Sequence, residues 1–139
     1  MMNDRMKLNV PGKPEYVGTV RITTAHAASL AGFDIEAIED IKVAISEACT
    51  NIVCHSNSSP DFTYDIVLEL EDEKLIITVR DTGVGFSPED YIETTPSETR
   101  EGGLGLFIIR ALMDEVEIHS EVGVGTDIRM TKYRQRRNV

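Results

Sequence analysis

The run from Ile35 to Cys54, "IEAIEDIKVAISEACTNIVC", constrains this chain more than any other stretch, because Ile38, Ile41, Ile45, Ala48 and Ile52 recur there at three- and four-residue steps. That spacing draws one apolar stripe along a long helix, and such a stripe has to be laid against a second layer. Along the same helix, turned by about 100°, runs another stripe of Glu47, Thr50, Asn51 and Cys54. An acid, a hydroxyl, an amide and a thiol between core and solvent are neither packing residues nor an ordinary charged face.

The rest of the chain supplies the other layer. Tyr64, Ile66, Leu68 and Leu70 alternate with Thr63, Asp65, Val67 and Glu69, and a second alternating run from Leu75 to Arg80 follows the turn at "EDEK". These read as two antiparallel strands. "MKLNVPGKP" reads as a short strand and a turn, with Pro14 in the first turn of a helix that ends at Gly32 and turns Tyr16, Val17, Val20, Ala27 and Ala28 inward. "LGLFIIRALM" predicts a helix through Leu104, Phe107, Ile108, Ala111 and Leu112, and "VEIHS" and "TDIRMTKY" close the chain as strands. The order predicts an α/β two-layer sandwich, with the helices on one face of a mixed, mostly antiparallel sheet. At 139 residues and 41% hydrophobic content the chain is expected to form a single domain, residues 1–139, with a basic tail from about 134.

A net charge of −10 opposes binding to a phosphate backbone, and "KYRQRR" is the one basic run, read as a solvated tail. No nucleic-acid partner is expected. No apolar run approaches the roughly 20 residues of a membrane span and no signal-peptide core is present, so the expected location is cytoplasmic, away from membranes. Cys49 and Cys54 lack a CxxC spacing and a His/Cys cluster, and read as free thiols.

Three glycine motifs follow the long helix. In "RDTGVGF", Asp81 ends an apolar strand, and Gly83 and Gly85 permit positive φ or the close approach of another group. "GGLGL" places glycines at a helix start, where unpaired N–H groups and the helix dipole favour an anion. "VGVGTDI" brings a Gly-Thr pair into the last strand. Alone, each reads as a turn. In this order, after a helix bearing Glu47 and Asn51, they resemble the GHKL superfamily of ATP-binding domains, with "EACTN" as the N box and "DTGVG", "GGLGL" and "GT" at 125 and 126 as its glycine boxes. "PEYVGTVR", "IEDIKVAISEACTN", "EGGLGL", "LMDEV" and "MTKY" narrow the resemblance to the bacterial anti-sigma-factor serine kinases, over nearly all of the chain from Pro14 to Tyr133.

The resemblance implies a histidine-kinase-like ATP-binding fold, ATP or ADP with Mg²⁺, and a role for each matched residue. Asp81 would accept a hydrogen bond from the adenine amino group, and guanine carries a carbonyl at that edge. Gly83 and Gly85 would let the ring approach, and Thr126 would line the floor beside Asp81. Asn51 would offer its amide oxygen to Mg²⁺. Gly103, Leu104 and Gly105 would cradle phosphates under a lid of residues 86–102, from which Thr99 and Arg100 would reach phosphate. Glu47, at i, i+4 from Asn51, would be the general base for an attacking hydroxyl. The implied partners are an RNA polymerase sigma factor and a small anti-anti-sigma protein of the STAS type whose serine is phosphorylated, with Arg21 at the partner face and a homodimer as the assembly. A nucleotide-gated binding module without kinase activity, or the detached catalytic domain of a histidine kinase, are the alternatives.

Overall fold

The computed structural model describes residues 3–55, 61–81, 103–121 and 125–135. Its elements run β1 (Asn3–Pro11), a 3-10 turn (Pro14–Tyr16), α1 (Val17–Leu30), α2 (Ile35–His55), β2 (Thr63–Glu71), β3 (Lys74–Asp81), α3 (Gly103–Leu112), β4 (Glu115–Glu121) and β5 (Gly125–Tyr133). Pro14 therefore starts a 3-10 turn, and the first helix proper begins at Val17. The strands form one sheet in the order β1-β2-β3-β5-β4. Every pairing among the described residues is antiparallel, so the mixed sheet expected from the sequence is antiparallel there. β5 lies between β3 and β4, an arrangement that no alternation pattern reveals.

Local chemistry sets the helix boundaries. α1 stops at Gly32, whose φ of +88° is open to glycine, where the Gly32 N–H donates to the Ser29 carbonyl and the Phe33 N–H to that of Ala28. This is the reciprocal C-terminal pattern that satisfies a helix's last carbonyls. α2 is capped at once, the Asp34 carboxylate accepting from the Ala37 N–H at 2.9 Å.

The three helices cover one sheet face. Ile41, Ile45, Ala48 and Ile52 of α2 are fully buried against Ile66, Leu68, Ile77 and Val79 of the central strands, so the predicted stripe is the main seam. The last helix differs from the sequence reading: Leu106, Ile109 and Met113 are buried, while Leu104 and Phe107 are exposed. "LGLFIIRALM" is apolar almost all round, so its periodicity alone does not choose a face. On the other sheet face, Val67, Ile76, Thr78 and Thr131 are buried among the strands, with Lys7 against Asp65 at 3.6 Å and Arg80 against Asp127 at 2.9 Å beside them.

One ion pair ties the layers together at the far end from Asp81. Lys132, on the helix side opposite Leu75, donates to the Leu112 carbonyl at 2.6 Å and meets Asp40 of α2 at 3.5 Å. Its side chain is only 14% exposed, so Lys132→Met leaves a carbonyl and a carboxylate short of a partner. We expect a loss of about 1–3 kcal/mol, read as a lower urea midpoint with an unchanged slope.

Candidate functional site

Glu47 and Asn51 stand one turn apart on α2 and meet the first turn of α3. A Cβ placed on Gly105 would lie 2.9 Å from Glu47 Oε2 and 3.2 and 3.3 Å from Asn51 Oδ1 and Nδ2. Backbone and polar side chains are thus in direct contact, and any side chain at 105 would have to displace the Glu47 carboxylate. Asn51 is 4% exposed, and among the described residues its Nδ2 has no hydrogen-bond partner. Burying an amide donor unpaired costs about 1–3 kcal/mol, a cost that selection for packing alone would remove. Of the polar stripe, Asn51 turns inward, Glu47 is half-buried, and Thr50 and Cys54 face solvent.

The first turn of α3 holds Gly103, Leu104 and Gly105 and carries no acidic side chain. The N–H groups and dipole of a helix start favour negative charge, and this turn lies beside Asn51. Leu104 itself is 40% exposed, so its backbone, not its side chain, belongs to that turn's chemistry.

Asp81 and Thr126 meet at the same end of the sheet. They are register partners across β3 and β5, 2% and 1% exposed. The next partner of Asp81 is Tyr64 of β2, whose hydroxyl is buried against Cys49 of α2. Asn51 follows Cys49 by two residues, which sets the Asp81 row under the α2 segment that carries the polar stripe. Burial pushes the Cys49 thiol up to about 12, against a smaller opposing contribution from Tyr64, so it carries almost no thiolate at neutral pH. Burial likewise raises the Tyr64 hydroxyl. The two groups interact, and among the described residues the hydroxyl has no partner at full hydrogen-bonding geometry.

Among the described residues, the sequence-predicted ones therefore fall into three groups. Glu47 and Asn51 meet Gly105 where α2 faces α3, with Gly103 and Leu104 in the same helix turn, and Asp81 and Thr126 adjoin in the sheet. Arg21 is separate: exposed on α1, its Nη1 reaches Ser46 Oγ of α2 at 3.4 Å. Gly83, Gly85, Thr99 and Arg100 lie outside the described residues. Ser120, 2.8 Å from the Thr126 hydroxyl, was not flagged by any motif. Its signal is positional, since it partners Thr126 in the register.

A cleft of about 860 Å³ opens at the opposite end of the sheet, lined by Asp34, Glu36, Asp40, Asp72, Glu73 and Asp114 with Lys132 and Arg134. Six carboxylates against two cations oppose a phosphate there. No group of acidic, histidine or cysteine side chains suited to a metal occurs among the described residues, and none of their helices is long and apolar enough to cross a membrane.

Residues 10–132 match the family model of the histidine kinase-like ATPase domain. The chain is 42% identical to the serine-protein kinase RsbW of Oceanobacillus iheyensis, covering 94% of this chain and 87% of that protein. It is 41% identical to RsbW of Listeria innocua, over 95% and 88%. Among solved structures, the RsbU and RsbW domains of Rv1364c from Mycobacterium tuberculosis align with 98% of this chain and 34% of that one, at 23% identity and a TM-score of 0.70. A histidine kinase domain from Erythrobacter litoralis EL346 aligns with 88% and 60%, at 22% and 0.57. At those identities the two structures speak for the fold alone.

Proposed function

Because the chain belongs to the histidine kinase-like ATPase domain family, we propose that it is an ATP-dependent serine kinase that acts on a small anti-anti-sigma protein and holds a sigma factor away from transcription. The observation that carries this reading is the contact of Glu47 and Asn51 with Gly105, where a buried amide lacks a partner among the described residues beside a helix turn that carries no acid. The serine-protein kinases that share about two-fifths of its sequence support the choice of acceptor.

The nucleotide's adenine would be read by Asp81, a buried acceptor, with Thr126 beside it. Its phosphates would lie over the N–H groups of Gly103, Leu104 and Gly105. Asn51 would suit Mg²⁺ through its amide oxygen, a hard donor, while its buried Nδ2, without a partner among the described residues, would be left to donate to a phosphate oxygen. Bound there, Mg²⁺ would neutralise phosphate charge as it is transferred. Glu47 takes the proton of the acceptor serine as the serine oxygen bonds to the γ-phosphorus; the bond from that phosphorus to the bridging oxygen breaks, and ADP leaves with the electron pair.

Partner binding would use the face where Arg21 reaches Ser46, flanked by exposed Ile22 on α1 and Val43 on α2. A cation among exposed aliphatic side chains suits a protein surface. Competition of the sigma factor and its antagonist for one face, and a homodimer as the working unit, are part of the same reading. Transfer of label from γ-labelled ATP to serine of a candidate anti-anti-sigma protein tests it, and nucleotide binding without transfer to any such acceptor would leave a nucleotide-gated binder.

Asn51→Ala separates metal from base. In the native chain, chelating Mg²⁺ should weaken ADP about tenfold, the worth of one contact to a charged group. In the variant, ADP should bind equally with and without EDTA, and the free protein should melt no lower. A variant that keeps the native EDTA response removes Asn51 from the metal.

A further inference from the structure

One cross-strand row of the sheet is unlike the rest. On the helix face, Leu8, Ile66, Val79, Ile128 and Ile118 form a wholly apolar row, and the next one toward the site reads Val10, Tyr64, Asp81, Thr126 and Ser120. Four adjoining strands thus switch to polar side chains in one step. The Ser120 and Thr126 hydroxyls lie 2.8 Å apart, Thr126 1% exposed and Ser120 half-buried on β4.

We propose that Ser120 is a positioning residue for base recognition, donating to the Thr126 oxygen so that the Thr126 proton is kept for the Asp81 side of the pocket. This rests on reading Asp81 as the group that selects adenine. Each hydroxyl owns one proton, and a carboxylate only accepts. Of the two proton orders that the 2.8 Å contact allows, the one in which Ser120 donates to Thr126 leaves the Thr126 proton for the carboxylate that adjoins it in the register. Ser120 is two strands from Asp81, about 10 Å at ordinary strand spacing, too far to share a contact with the base. It acts through Thr126 or not at all.

Without Ser120, the Thr126 hydroxyl loses the contact that fixes its rotor. A diphosphate whose base carries a carbonyl where adenine carries the amine, IDP, gains nothing from that order, so the loss falls on ADP. The test is the ratio of Kd for IDP and ADP, by titration calorimetry with Mg²⁺, in the native chain, Ser120→Ala, Ser120→Thr and Asp81→Asn. Ser120→Ala should lower the preference for ADP about fivefold, the size of one hydrogen bond, and Ser120→Thr should restore it. Equal weakening of both nucleotides, or an unchanged ratio, overturns the role of Ser120. A native chain without preference, or an Asp81→Asn variant that keeps it, overturns instead the reading of Asp81.

Discussion

Glu47→Gln is expected to lower phosphate transfer about a thousandfold, within the range of 10² to 10⁴ for loss of a general base, while nucleotide affinity stays level or rises. The substitution keeps the side chain's size, and with it the contact with the α3 turn, where Glu47 Oε2 lies 2.9 Å from the position of a Cβ on Gly105. What disappears is the capacity to take a proton. Glu47 is also a negative charge beside the position assigned to the γ-phosphate, so in the ground state it repels what it serves in the transition state. Its neutral replacement should therefore bind ATP as well as the native chain or better, with the loss confined to kcat. Single-turnover transfer at saturating MgATP measures this directly. A rate within tenfold of native would show that the proton leaves by another route, and a parallel loss of affinity would show that Glu47 holds the nucleotide instead.

How much of this could be seen in the sequence depended on whether a pattern was local. The α2 seam was legible because Ile41, Ile45, Ala48 and Ile52 repeat at the helical period, and all four are fully buried. The polar stripe was legible as an anomaly, and its split into an inward Asn51 and outward Thr50 and Cys54 was not, since a rotation of tens of degrees lies below what spacing resolves. α3 offered two apolar faces, and only packing chose Leu106 and Ile109 over Leu104 and Phe107. Ser120 and Tyr64 entered the site region through register, and register across β3, β5 and β4 requires knowing that β5 is inserted between the other two. Gly105 carried a further lesson. The resemblance gives it a phosphate, whereas the fold shows a second reason for glycine, its contact with Glu47 and Asn51.

That second reason gives the other large effect. Gly105→Ala should lower phosphate transfer about a hundredfold, the scale of an ångström of misplacement at a reacting group, without destabilising the protein. In a helix, alanine is worth up to about 1 kcal/mol over glycine, and Gly18→Ala on α1, whose Cβ would meet nothing nearer than Arg21 Nη2 at 3.6 Å, reports that gain alone. At Gly105 the added carbon has to displace Glu47 Oε2 from 2.9 Å and press on the Asn51 amide at 3.2 and 3.3 Å. Glu47 is long and half-exposed and swings away cheaply, while Asn51 is buried and cannot. The carboxylate therefore gives way, and the damage should fall on transfer more than on ADP affinity. If displacement of Glu47 is the cause, Gly105→Ala and Glu47→Gln share one mechanism and their effects do not add: the double variant should transfer phosphate no more slowly than Glu47→Gln alone. Full additivity would place the effect of Gly105 on the phosphates, and an unchanged melting temperature beside it would exclude misfolding as the source.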